Sequence, residues 1–404
     1  MTPSTITQSA MQLSAESQQE AIARVMSLMA IPGRSCEESL IANAIVNELK
    51  AAGISNEQIF FDNANTRTRG GGQVGNLYLK MPGTITGKYR MLTAHMDTVP
   101  ICVGSQPIRD GNVIRSADPT TGLGADNRSG VAVLLNTALT IHRDRLPHPP
   151  LLFCWFIQEE IGLEGARHLD PETVREVAWA CNFDGAVPNR LTIGATSGQR
   201  IEITVRGRAA HAGVSPREGI SAIVIAAKAI ARLHADGWLG LVARPEGNGT
   251  ANVGVIYGGD ATNVVTPEVT LRAESRSHDL AFCHRIADEI IEAFAAAAAS
   301  VTNDTGACGS VEISRHVDYE SFRLADDAPA VRAIAQSVTS MGRQVELSVS
   351  NGGLDANWLT RHGVPTVTLG CGQRKIHTAE ETLDIEDYLA ATQIGLLVAL
   401  QGAQ

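Results

Sequence analysis

Strand-like apolar runs alternate with helical stretches over the first half of this chain and again over its last quarter. The helix QQEAIARVMSLMA stops at Pro32 and Gly33, and a second helix, EESLIANAIVNELKAAG, closes on Gly53. Glycines at 70 to 72 lead into the strand NLYLK; then come YRMLTAHMDTV, a helix from about Ser129 through TALTIH, and LLFCWFIQEE. This alternation predicts an α/β layer on a mostly parallel sheet.

The pattern changes near Gly194. RIEITVRGR, a helix around 217–234, ANVGVIYGG, VTLRAESRS, the helix DLAFCHRIADEIIEAFAAAAAS and GSVEISRHVDY form a β-α-β-β-α-β series, enough for a small two-layer domain. The earlier alternation then resumes, with a helix over 326–341, the strands VELSVSNGG and PTVTLG, and a closing helix. A chain of 404 residues exceeds what one core usually holds. The expected architecture is an α/β domain over 1–196 and 319–404, interrupted by an inserted α+β domain over 197–318.

Charge and apolar content exclude several partners. A net charge of −10 gives no general attraction for nucleic acid or anionic membranes. The longest apolar stretches, such as PPLLFCWFI, are too short to span a bilayer. The N-terminal residues show no charged-then-apolar pattern, so no signal peptide is expected. Seven scattered cysteines without a CxxC pair read as small buried hydrophobes in a reducing, cytoplasmic setting. The glycosylation patterns at Asn127, Asn248 and Asn303 would go unused there. The run from Gly70 to Gly75 formally matches GxGxxG, but a β-rich segment follows where a nucleotide site needs a helix.

Five motifs carry chemistry. His95 and Asp97 close an apolar strand and, by strand alternation, face the same way. A metal-bound histidine usually gives its second ring N–H to a carboxylate, although a structural hydrogen bond explains HxD equally simply. Asp126, in GLGADNRSG, sits before a helix, where it serves either as an N-cap or as a metal-bridging carboxylate. Glu159 and Glu160 end the run LLFCWFIQEE; either the strand end is solvated or a dication relieves the conflict between adjacent acids. One glutamate then ligates while its neighbour takes a proton. Asp184 follows the short run CNF, and His377 lies in the loop after PTVTLG; each alone reads as an ordinary turn residue. Together, His95, Asp126, Glu160, Asp184 and His377 supply two zinc ions with one histidine, one terminal carboxylate and a shared aspartate each.

HMDTVP, GLGADNRSGVAVLL, FIQEEIGLEGARHL, NFDG and the His377 loop, in that order, resemble the di-zinc aminopeptidase/carboxypeptidase/aminoacylase family, above all its peptidase T-like branch. The resemblance runs through nearly the whole chain. It implies that His95 and Asp184 hold one zinc, Glu160 and His377 the other, and Asp126 bridges them. Cobalt or manganese are possible substitutes. Glu159 becomes the general base and Asp97 the partner of His95. One departure is Asn127, where the peptidase T branch often has an acid.

The resemblance also makes the inserted domain a lid and dimerisation surface, so a homodimer is expected. His211 matches a histidine that polarises the scissile carbonyl. Asn263 and Arg276 match substrate-holding lid positions, Arg276 as a two-pronged carboxylate binder. Gly352 and Gly353 match a loop bringing backbone near the metals. A hinge is expected near 194–198 and 318–323. The implied reaction is hydrolysis of short peptides, by a tripeptidase-type aminopeptidase. The alternative substrate is an N-acyl or N-carbamoyl amino acid, and a scaffold that has lost catalysis is the rival outside the enzymes.

Overall fold

The computed structural model describes residues 13–401. The first twelve residues, part of the stretch expected to carry no signal peptide, lie outside them. The chain divides into two compact units: Met1–Gly194, Arg323–Ser350 and Leu354–Gln404 form one, and Ala195–Phe322 with Asn351–Gly353 the other.

The first unit is built on a nine-stranded sheet. Its centre is parallel. Tyr89–His95 runs alongside Leu151–Phe156 on one side and Val177–Phe183 on the other, and Thr366–Leu369 continues the parallel set beyond Val177–Phe183. Antiparallel strands flank this centre: Leu77–Met81 pairs with Leu151–Phe156, and Arg190–Ala195 with Thr366–Leu369. Leu151–Phe156 is buried at every position, as a central parallel strand covered on both faces requires. The helices Ala15–Met29, Ser39–Ala51, Ala125–Asp144 and Ile385–Leu400 cover one face, and on the other Leu152, Cys154 and Phe156 pack with Ala166, Leu169, Val174 and Leu359. Val25, Ile45, Leu134 and Ile394 are among the residues the four helices bury in the main core.

A small four-stranded sheet joins Pro107–Asp110, Val113–Ser116, Thr382–Asp384 and Gln373–Arg374. Nothing in the hydrophobic pattern announced it, because its strands are two to four residues long. The glycine run at 70–75 precedes the strand Leu77–Met81 and opens no helix.

The second unit is a five-stranded antiparallel sheet in the order Gly240–Arg244, Gly247–Tyr257, Glu268–Ser277, Ser197–Arg206, Ser310–Tyr319. Ile201, Ile203 and Val205 alternate inward and pack with Ile290 and Phe294 of the helix Leu280–Ser300 and Leu233 of the helix Ala222–Ala235. Gly240–Arg244 is the strand that the β-α-β-β-α-β reading lacks; it forms a hairpin with Gly247–Ala251. The change between units comes at Ala195 and after Phe322, rather than at 197 and 318. At the second boundary the sheet pairing runs past 318, since Tyr319 still faces Gly198.

Among the described residues, no helix is long and apolar enough to cross a membrane. All seven cysteines are free, and five of them are buried.

Candidate metal centre

The four parallel strands end on the same edge of the sheet, where open α/β sheets form their sites. His95 is the last residue of its strand. Glu159 and Glu160 follow Leu151–Phe156 after a short turn, and Asp184 directly follows Val177–Phe183. His377 stands in the loop between the short strands Gln373–Arg374 and Thr382–Asp384, beyond Thr366–Leu369. Asp126 and Asn127 have non-helical angles at the head of Ala125–Asp144, and the peptide bond between them is cis. One turn on, Gly130 packs so closely that a Cβ there would collide with the Phe183 carbonyl, which brings the head of the helix against the Asp184 strand.

Two imidazoles meet the two oxygens of one carboxylate. His95 Nε2 lies 3.1 Å from Asp126 Oδ1, and His377 Nε2 lies 3.3 Å from Asp126 Oδ2. Around His95 Nε2 stand Glu159 Oε2 and Asp184 Oδ2, each at 4.0 Å. Around His377 Nε2 stands Glu160, 3.0 Å away at Oε2. Ligand atoms of His95, Glu159 and Asp184 lie within 4.8 Å of one another, as do those of His95, Asp126 and Glu160.

Asp97 lies just beyond the strand and not in it. Its Oδ1 is 3.3 Å from His95 Nδ1. The same carboxylate accepts the N–H groups of Glu159 and Glu160 at 3.0 and 3.2 Å, and the Ser35 hydroxyl at 2.7 Å. Glu38, wholly buried, accepts the N–H of Gln158 at 3.2 Å. Three consecutive amides before and within the glutamate pair are thus held by two buried carboxylates.

Protonation reflects crowded charge. Burial pushes Asp184 up to about 7, helped by the Asp126 charge, and pushes Asp355 up to about 8. Burial likewise raises Glu159 well above the carboxylate range and raises Glu160. Asp126 goes the other way: hydrogen bonds from His377 and His95 outweigh its burial and hold it below the usual range. Hydrogen bonds to Asp126 and Glu160 lift His377 to about 10. Burial would lower His95, but Glu159, Asp126, Asp97 and Asp184 together raise it.

Besides Asp97, the carboxyls of Asp126, Glu159, Glu160, Asp184 and Asp355 crowd two imidazoles; Asp126 and Asp355 are buried, the others largely so, and Asp355 Oδ1 has no hydrogen-bond partner. Such an excess of buried acid calls for cations. Imidazole with carboxylate oxygen fits zinc, manganese or cobalt.

The predicted lid residues lie in the second unit. His211 Nδ1 accepts the N–H groups of Gly213 and Val214 at 3.2 and 3.1 Å, so the ring hydrogen sits on Nε2. Asn263 is beside it, its carbonyl accepting the Ala212 N–H at 2.9 Å. Arg276 stands apart from that pair in the strand pairing; its guanidinium grips Glu274 with Nε and Nη2 at 3.1 and 3.0 Å. Gly353 packs against the Tyr319 ring within the same unit.

Sequence reasoning missed Asp355, Gln373, Glu38 and Glu381. Gln373 donates to Asn127 Oδ1 at 2.9 Å and accepts the Gly185 N–H at 2.8 Å. A signal existed for Glu381, since Glu380 and Glu381 repeat the adjacent-acid pattern four residues after His377.

Among known proteins, the description "peptidase family M20/M25/M40" matches residues 91–401. The chain is 33% identical over 331 residues to the uncharacterized protein YqjE of Bacillus subtilis (strain 168), covering 82% of this chain and 85% of that one. A solved tripeptidase from Staphylococcus aureus subsp. aureus Mu50 gives a TM-score of 0.84 at 32% identity, over 95% of this chain and 97% of that one. The aminopeptidase PepT of Bacillus cereus ATCC 10987 gives 0.81 at 30% identity, over 96% and 99%.

Proposed function

The chain belongs to peptidase family M20/M25/M40, and on that premise we propose that it is an aminopeptidase releasing N-terminal residues from short peptides, tripeptides foremost. The observation that carries this reading is the approach of His95 and His377 to opposite oxygens of buried Asp126, with Glu159 alongside. The likeness to a tripeptidase and to PepT supports the choice of substrate.

In the proposal, His95, Asp184 and the shared Asp126 hold one divalent ion, and His377, Glu160 and Asp126 the other, zinc being preferred. Ions held there would acidify water and polarise the scissile carbonyl. Glu159 is the proton carrier. Its carboxylate sits in a buried setting that raises its affinity for a proton, so it takes one from the attacking water and hands it to the leaving amine. Asp97 fixes the His95 ring through Nδ1 and anchors the Glu159 backbone. His211 offers its Nε2–H to the developing oxyanion. Asn263 and Arg276 contact the rest of the substrate, Arg276 by exchanging Glu274 for a substrate carboxylate. A twofold assembly through the inserted unit and a cytoplasmic setting belong to the same proposal.

The test is a panel of di- and tripeptides, free or blocked at each end, with N-acyl and N-carbamoyl amino acids, incubated with zinc-loaded protein and read by mass. Release of N-terminal residues from unblocked tripeptides is expected. Cleavage confined to N-acylated or N-carbamoylated substrates would move the activity to an amino-acid amidohydrolase. Ion binding with no hydrolysis of any kind would leave a scaffold.

A further inference from the structure

His377 stands in a hairpin loop whose two arms, Gln373–Arg374 and Thr382–Asp384, pair Gln373 with Leu383. Each arm also reaches the turn that carries Asp126. Glu381, at the foot of the second arm and 1% exposed, spreads its carboxylate over that turn. Oε2 accepts the N–H groups of Leu123 and Gly124 at 2.9 and 2.7 Å, and Oε1 accepts the Asp126 N–H at 2.9 Å. The Cys102 thiol adds a contact at 3.4 Å. From the first arm, Gln373 donates to Asn127 Oδ1 and takes the Gly185 N–H, next to Asp184.

Resting on the metal reading above, we propose that Glu381 and Gln373 are positioning residues that hold the His377 loop in register with the Asp126 turn and so set the spacing of the two ion sites. Without that grip, His377 belongs to a hairpin loop and Asp126 to the separate turn at the head of Ala125–Asp144. A loop displaced by an ångström leaves Asp126 unable to serve both histidines. A buried carboxylate accepting three backbone N–H groups is costly to desolvate and strong once satisfied, a heavy device for a short loop with no task.

The test is a titration of metal-free protein with Co2+ alone, at about 25 °C, following heat and visible absorption, on the parent, Glu381→Gln, Gln373→Ala and Glu380→Gln. Glu380 is exposed and paired with Lys375, so its variant removes the same charge nearby without touching the turn. Co2+ affinity is expected to fall ~10–100-fold in E381Q and Q373A, with altered absorption, and to stay at the parent value in E380Q. A residue that only supports the fold lowers the melting temperature yet leaves the affinity of the still-folded protein unchanged. That result, or equal losses in E380Q, overturns the proposal. Should E381Q not fold, Q373A and Glu381→Asp decide by the same criterion. A parent that binds no Co2+ defeats the metal reading itself, an outcome separate from these.

Discussion

The carboxylate of Asp97 accepts the backbone N–H of Glu159 at 3.0 Å while its Oδ1 also stands 3.3 Å from His95 Nδ1. One buried group therefore orients both a proposed ligand and the proposed base. Asp97→Asn keeps the volume but turns an N–H₂ toward groups that are already donors. We expect a ~10–100-fold loss of divalent-ion affinity together with a lower kcat, measured by calorimetric titration and steady-state kinetics. Parent-like affinity in D97N would show that His95 needs no carboxylate behind it.

Glu159→Gln separates base from ligand. Glu159 Oε2 and Asp184 Oδ2 both stand 4.0 Å from His95 Nε2, so distance alone does not tell the base from a ligand and the variant must. The amide cannot carry a proton between water and amine. Metal content should match the parent by elemental analysis, while turnover of a tripeptide falls ~10²–10⁴-fold. Lost metal would make Glu159 a ligand; retained turnover would remove it as base.

How much of this was legible in the sequence depends on the range of the interaction. His95, Glu160 and Asp184 stood out because each follows an apolar strand, and parallel strands bring such ends to one edge; Asp126, at the head of a helix, and His377, in a hairpin loop, stood out only through the family resemblance of their motifs. The supporting carboxylates did not stand out. Glu38 meets Gln158 across 120 positions of sequence and Glu381 meets Asp126 across 255. Each lies in a polar loop where an acid is ordinary, and nothing local tells a buried acceptor from a solvated one. The strand Gly240–Arg244 escaped for the opposite reason: Val242 alone of its residues is buried and Leu241 is 79% exposed, so no alternation was imposed.

Metal-free protein should become less stable as pH rises. Burial pushes Asp184 and Glu38 up to about 7 and Asp355 up to about 8, whereas the unfolded chain ionises these groups near about pH 4. Their contribution is therefore complete below the unfolded value and is lost as pH climbs through the folded ones. Asp126, held low, acts oppositely, but its contribution disappears only in acid. The His377 contribution is complete below its unfolded value and is likewise lost as pH rises toward about 10, which adds to the decline. With a chelator present, the melting temperature should drop by roughly 5 °C or more between pH 5 and 8.5. Zinc should flatten or reverse that slope, because protons compete with the ion for the same carboxylates. A flat metal-free profile would contradict the assigned protonation.

Asn127 follows Asp126 where the resemblance led us to expect an acid, and its surroundings suit an amide. The side chain is fully buried. Its Nδ2 donates to the Phe183 carbonyl at 2.8 Å, while Oδ1 accepts from Gly130 N at 3.0 Å and from Gln373 Nε2 at 2.9 Å. Donor and acceptor ends are both matched, and the donor end ties the Asp126 turn to the residue before Asp184. Asn127→Asp would set a carboxyl oxygen against a carbonyl oxygen. The new acid must either keep a proton to donate or leave two acceptors facing each other without water. We expect metal-free N127D to lose ~1–3 kcal/mol of stability, with the deficit growing as pH rises and the acid is forced to ionise. Bound ions should recover part of the loss, since the added charge would lie one residue from Asp126, the proposed bridge. Thermal melts of metal-free and zinc-loaded N127D across pH check both statements. Equal melting of N127D and the parent without metal would mean that the amide contact to Phe183 contributes nothing, and that the departure from an acid has no basis in packing.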